Sequence, residues 1–403
     1  MRHLVALVVL LAALGLVPSG TAAGADDPLA AVQRLLDARA AAVRSGDRAG
    51  FLATVDPQAP AEFREAQRRS FEGLASLPLA SYALQARTFD TGDLAPGTKG
   101  RYGSARVFVP ETRQVYRLRD YDDRDAVEQL WLTFVERGDR WYVASDSDLE
   151  ELGLESSRQL WDLGPVRLQP TEHFLVVSHP EQAARAAALA SIAEDGMTEL
   201  SRVWDQPWSA RIPLVLPGSA QELQRILRST VDLDKFVAFV SYSSLDDNEH
   251  QVTAPRIFIQ DERLAGYGRA FQVSTLVHEL SHAAAAPLVG PFIPAWVHEG
   301  VSEWIASGRP TNERRPRGGD AELPRDHEFS SGAADSIVRS YRESRAAMSL
   351  LAAGKGLGAP SAFLRALGEA KVEPGSTDHR VDAALRRVAG MSLADLQGRW
   401  AGR

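Results

Sequence analysis

The stretch Phe271–Ala286 reads FQVSTLVHELSHAAAA, and Pro287 follows it. It holds no glycine or proline, and Phe271, Val273, Leu276, Val277 and Leu280 recur at helical spacing, so a helix is expected that ends at the Pro287 break. Inside it, His278-Glu279-Leu280-Ser281-His282 is an H-E-x-x-H run. Spacing of i and i+4 puts the two imidazoles about 6 Å apart on one face, which suits two ligands of one tetrahedral zinc ion. Glu279 is rotated about 100° from His278, at the edge of that face. There it reaches a water on the metal without displacing it, the position of a general base. Chance yields such a run in roughly one chain in a hundred of this length, so the surroundings must carry the argument.

Beyond Pro287 stands Pro294–Trp304, PAWVHEGVSEW, a second expected helix with Pro294 in its first turn and Gly308 at its end. Glu299 is the favoured third ligand. Glu303, one turn on, can accept the other ring N–H of His278 and so orient it. Were Glu303 the ligand, the residue four further on would be Ser307, a poor orienting partner; His298 has no carboxylate at its own i+4. His298 flanks the site but, on helical geometry, should point away from the face of Glu299. His173, His179, His250, His327 and His379 are isolated and default to surface or core roles.

Working outward, Pro180–Trp204 reads as a long Ala-rich helix, Arg211–Leu216 as a strand, Ser219–Glu222 as a capping box and Arg256–Gln260 as an edge strand open to an extended peptide by β-addition. Arg309–Gly332, poor in apolar residues, should be a mobile surface loop. Toward the N-terminus, Pro28–Arg44, Arg48–Val55 and Ala61–Leu74 read as helices. Ala105–Val109 and Gln114–Leu118 then flank a Pro-containing turn, and Gln129–Val135 faces Arg140–Ser145 across Glu136–Asp139. Residues 149–164, acidic and irregular, read as a linker between a unit at 26–148 and one at 165–403.

Taken with HELSH at 278–282 and PAWVHEGVSEW at 294–304, the order strand, long helix, strand, edge strand, motif helix, glutamate helix and helical tail resembles the gluzincin metallopeptidases. It is similar in particular to the peptidase MA-like family, related to the catalytic domain of aminopeptidase N, with its H-E-x-x-H and P-x-W-x-x-E-G phrases. The resemblance implies a thermolysin-like fold with a mixed sheet, active-site helices and a helical tail. It also implies Zn2+ on His278, His282 and Glu299, Glu279 as base and proton shuttle, and a peptide or protein substrate. Tyr341, in Ser340–Ser344, falls where such enzymes carry a tyrosine whose hydroxyl stabilises the oxyanion. No Gly-x-Met-x-Asn phrase with an acidic fourth residue lies between Val252 and Gln272, which favours endopeptidase over aminopeptidase activity. Residues 28–148, with SGDRAGFLATVDP at Ser45–Pro57, resemble the nuclear-transport-factor-2-like (SnoaL-like) cone, expected here as a scaffold or interaction module. The whole is therefore expected to be α+β.

The 403 residues leave room for two or three domains, and 44% hydrophobic with 24% charged residues is globular composition. A net charge of −8 argues against nucleic acid. The absence of cysteine removes disulfides, lipid attachment through a thiol and any Cys-ligated metal, leaving His, Asp and Glu as ligands. Leu4–Val17 is apolar but spans only about 21 Å, so residues 1–25 read as a cleaved signal peptide rather than a membrane span. A secreted or extracytoplasmic zinc peptidase follows. The alternative is an extracytoplasmic binding or sensing protein on a gluzincin scaffold with little or no catalysis.

Overall fold

A computed structural model describes residues 27–88, 94–228, 236–244, 252–289, 293–313, 322–331, 333–370 and 377–400. The signal-peptide reading of residues 1–25 lies outside them. Helix takes 51% and strand 19%, in mixed sheets, so the α+β class holds.

Three helices open the described chain: α1 (Pro28–Ser45), α2 (Arg48–Leu52) and α3 (Ala61–Ser76). Asp27 caps α1 by accepting from the Leu29 N–H, and Gly46 ends it in the left-handed conformation (φ 70°) that glycine adopts without strain. Strands β1 (Leu79–Arg87), β2 (Val107–Phe108), β3 (Glu111–Leu118), β4 (Ala126–Trp131), β5 (Thr133–Arg137) and β6 (Arg140–Ser145) follow, with a short helix α4 (Pro96–Gly100) after β1. They form two three-stranded sheets, β1-β3-β4 and β2-β5-β6. The segments on either side of Pro110 therefore do not pair with each other: Val107 lies opposite Val135, while β3 runs between β1 and β4. Proline cannot donate to a ladder, and the chain changes sheet there. The expected strand Gln129–Val135 likewise divides at Leu132, one part serving each sheet.

Residues 149–164 are not a free linker. Leu160 and Trp161 are buried in helix α5 (Leu160–Leu163), which Gln159 and Asp162 close with a reciprocal capping box. Helix α5 lies so close to α3 that a Cβ on Gly73 would come within 2.5 Å of Trp161. The acidic composition satisfied the pattern of a linker, but its two large apolar residues are what seat the segment.

A five-stranded sheet carries the second half, in the order β10 (Ala238–Ser244), β11 (Val252–Ile259), β9 (Ile212–Leu216), β8 (Phe174–Ser178), β7 (Arg167–Pro170). Strands β8, β9 and β11 run parallel and the two outer strands antiparallel. Arg256–Gln260 is thus interior, and the edge expected there belongs to β10. Every residue of β8 and β9 is buried, the continuous pattern of a strand covered on both faces. Phe174, Val176, Ile212, Leu214 and Ile257 face α6 (Ala183–Ser201) and the later helices. Leu175, Val177, Val215 and Phe258 face the opposite way and share one core with Leu36, Phe51, Tyr116, Phe134 and Trp161 of the N-terminal unit. Helix α7 (Ala220–Leu227) also joins that core through Leu223 and Ile226. Ser219 accepts from the Glu222 N–H as a cap, but the Glu222 carboxylate turns to Gly218 and His179, so only half of the expected box forms.

Helices α8 (Asp261–Leu264), α9 (Arg269–Ala285), α10 (Ala295–Ala306), α11 (Ala334–Lys355), α12 (Ala359–Gly368), α13 (Thr377–Ala389) and α14 (Leu393–Trp400) complete the order. Among the described residues no helix is long and apolar enough to cross a membrane.

One ion pair pins the two halves together. Arg256 of β11 reaches Asp122 with both terminal nitrogens, at 2.5 and 2.7 Å, and both side chains are buried. Asp122 also accepts from the Leu118 N–H. Removing one member leaves a buried charge uncompensated, so Arg256→Ala should lower stability by about 3–5 kcal/mol. Because the two halves share a core, urea unfolding followed by circular dichroism should still show one cooperative transition, shifted to lower denaturant.

Candidate metal and active site

Helix α9 forms because its apolar residues fall on one stripe. Val273, Leu276, Val277, Leu280 and Ala284 are buried against the sheet side and α6, where Gly196 lets Leu276 approach closely. That stripe fixes the rotation of α9 and turns His278, Glu279 and His282 toward a cavity of about 490 Å³. Helix α10 begins after Pro294, which serves as its N-cap residue with extended backbone, and the Ala295 N–H donates to Asp326. Gly300 packs against α11: a Cβ there would stand 2.9 Å from the Ser344 carbonyl oxygen. The close crossing brings Glu299 and Glu303 over α9.

His278 Nε2, His282 Nε2 and Glu299 Oε2 form a near-equilateral triangle with sides of 3.0, 3.1 and 3.2 Å. Two imidazole nitrogens and a carboxylate oxygen converge on one point. A tetrahedral ion with ligand bonds near 2.05 Å separates its ligands by about 3.3 Å, so the triangle fits Zn2+ in size and in donor chemistry. The other nitrogen of His278 faces Glu303 (Nδ1–Oε1 3.3 Å), and Glu303 is backed by Arg345 at 3.7 Å. Arg345 in turn holds Glu313.

His298 departs from expectation. It lines the cavity, with its Nε2 3.1 Å from His282 Nδ1, and Ser302 Oγ lies at the same distance from that nitrogen. The crossing of α10 over α9 brings the His298 face of α10 to His282 while Glu299 reaches His278 from the adjoining face. His298 and Ser302 are one turn apart, the same i, i+4 relation as His278 and His282, and that spacing was the available signal.

Titration behaviour follows from burial and neighbours. Burial lowers the His278 imidazole, but hydrogen bonds to Glu299 and Glu303 outweigh it and hold His278 well above its usual range. Burial opposes ionisation of Glu299, yet His282 and His278 keep it well below the ordinary carboxylate range, and His278 does the same more weakly for Glu303. Glu279 goes the other way: burial raises it, with Glu299 and Glu303 adding to the effect and the two histidines resisting. His298 is lowered to about 3 by burial and by the charges of His282 and His278.

Tyr341 of α11 stands across the cavity, its ring 6.0 Å from that of His278 and packed edge-on against Phe329. Phe329 is buried and Ser330 lines the cavity, so this part of 309–332 is a wall of the site; residues 314–321 and 332 lie outside the described residues. Strand β10 forms the facing wall. Its Tyr242 hydroxyl is buried with no hydrogen-bond partner among the described residues, a feature the sequence reading missed.

Gly300→Ala should force α10 away from α11 and cost about 1–3 kcal/mol. The displacement carries Glu299 with it, so the variant should also bind added Zn2+ more weakly than wild type in competition with a chromophoric chelator. Compared with protein-family models, with curated proteins and with solved structures, the chain finds no match.

Proposed function

We propose that the chain is a secreted zinc-dependent peptidase of gluzincin type, endo-acting, with His278, His282 and Glu299 as ligands and Glu279 as general base. The observation that carries this reading is the 3.0–3.2 Å triangle of two imidazoles and a carboxylate, with Glu279 beside it in a cavity large enough for a peptide segment. Zinc held there supplies Lewis-acid polarisation of a substrate carbonyl and acidifies a water. Glu279, its carboxyl raised above the ordinary carboxylate range by burial, takes a proton from the attacking water and returns it to the departing amine nitrogen. Glu303 and the Ser302–His298 pair orient the two histidines from their far nitrogens. The Tyr341 hydroxyl donates to the oxygen that gains charge.

Endo-action is supported by the cavity lining: among its described residues the only carboxylates are Glu279 and Glu299, and none is left for a substrate's free amine. Strand β10 is the outer strand of its sheet and lies on the cavity wall, the kind of position at which an extended peptide adds to a sheet. The N-terminal unit, three helices with two three-stranded sheets, is proposed as the nuclear-transport-factor-2-like cone.

Elemental analysis of purified protein should find about one zinc per chain, and dialysis against a strong chelator should lower the melting temperature, since an ion bound only by the folded state stabilises it. Glu279→Gln should retain the metal and lose peptide hydrolysis; zinc-free protein from non-chelating conditions sinks the reading. Tyr341→Phe should retain the metal and lower kcat by about 10²-fold or more with little change in KM, the mark of an interaction made in the transition state. Equal kcat would remove Tyr341 from the oxyanion role.

A further inference from the structure

A second cavity, of about 460 Å³, adjoins the first. Leu227, Ser241 and Tyr242 line both, so the wall between them is the end of α7 and the middle of β10. Its other side is built by the N-terminal unit, from β3, β4 and the approach to α5. Ser243 of β10 ties the two units at this point by donating to the Val127 carbonyl and accepting from the Val127 N–H, at 2.7 and 2.6 Å. The polar lining of this cavity therefore belongs to both halves of the chain.

The charges on that lining are unevenly matched. Arg113 is held by Glu111 at 2.8 Å. Arg228, at the exposed end of α7, sends a terminal nitrogen to the Glu155 carbonyl. Glu128 of β4 is half-buried on the cavity wall and makes no ion pair among the described residues. The nearby Arg256 is committed to Asp122. Burial pushes the Glu128 carboxyl above the usual range, against the Ser157 hydroxyl and the fields of Arg256 and Arg228, so the group is under-compensated as an anion. A cation entering beside it would gain from a partly desolvated partner.

We propose that this second cavity is a specificity subsite that takes a lysine or arginine side chain of the substrate against Glu128, with the N-terminal unit supplying the recognising wall. The inference rests on the peptidase reading for its substrate class. A peptide lying along β10 passes from the His278–Glu279 cavity to the one beyond Tyr242, and its long cationic side chain is the chemistry that reaches and matches Glu128.

The test uses the full chain and an equimolar library of N-acetylated, C-amidated decapeptides in which one position carries Lys, Arg, Gln or norleucine. Cleavage by wild type is read by mass spectrometry. Capture by Glu279→Gln, with and without added zinc, is read separately. Both should favour Lys and Arg over norleucine by about tenfold or more at one fixed position. That ratio should collapse toward one in Glu128→Gln and persist in part in Glu128→Asp, which keeps the charge. No cationic preference in wild type, or a preference unchanged in Glu128→Gln, overturns the subsite. A parallel library with free N-termini tests the alternative: a cationic preference seen there and absent from the acetylated set assigns Glu128 to the α-amine and overturns the subsite. Cation-selective capture without any cleavage keeps the subsite and sinks the peptidase reading; cleavage without cationic preference does the reverse.

Discussion

The pairing of imidazole with carboxylate across the crossing of α9 and α10 is the constraint on which the site depends. Three imidazoles and three carboxylates share one partly desolvated space, where an unpaired ion costs several kcal/mol even after relaxation. His278 meets this by standing between Glu299 and Glu303, at 3.1 and 3.3 Å, while His282 faces Glu299 at 3.2 Å. Among the described residues Glu279 makes no such pair. The result is a split among chemically identical groups: Glu299 and Glu303 are lowered by their histidine partners, and Glu279 is raised by burial. Such a split between neighbouring carboxylates is how a site separates a group that binds from a group that exchanges protons.

Keeping that split requires α10 to lie close to both α9 and α11, and the residues that do so carry no charge at all. Gly300 allows the approach to the Ser344 carbonyl, and Trp304, buried behind it, donates to the Pro310 carbonyl at 2.8 Å. Arg345 and Glu313 extend the charge network outward from Glu303. On the other side α9 leans on a sheet that is apolar on both faces. A sheet of this kind cannot stand with one face in water, so the N-terminal unit covers it and the two share a core through Val177, Val215 and Phe258. The first 120 or so described residues are thereby part of what holds the site rigid.

The parts legible in the sequence are those set by local spacing. His278 and His282 at i, i+4, Glu303 one turn beyond Glu299, and the apolar stripe of α9 are properties of a single helix, and a helix has one geometry. The relation between helices is not local, and it was there that His298 was misplaced: its approach to His282 depends on the crossing that Gly300 permits. Strand partners failed for the same reason. Ala105–Val109 and Gln114–Leu118 have good strand character, but pairing across Pro110 is settled by two separate sheets. Arg256–Gln260 has the local pattern of an edge strand, and it is interior because β10 pairs along its outer side. Residues 149–164 have the composition of a linker, but composition is an average and the buried Trp161 outweighs it.

Strand β10 shows how the same element can serve fold and site at once. Ala238 and Val240 pack toward the helices and Phe239 toward the N-terminal core, as alternation requires. At Ser241–Ser243 the register with β11 shifts, opposite Ala254, whose φ of 48° is strained for a residue with a Cβ. Beyond that shift the Ser243 hydroxyl has its partner in Val127 and its carbonyl one in Thr253. Tyr242 does not: its hydroxyl is buried and unpartnered among the described residues, a state that costs about 1–3 kcal/mol. The fold gains nothing from that oxygen, since phenylalanine would fill the same volume. Its position on the wall common to both cavities accounts for it under the proposed reading, in which a peptide lying along β10 hydrogen-bonds to that hydroxyl.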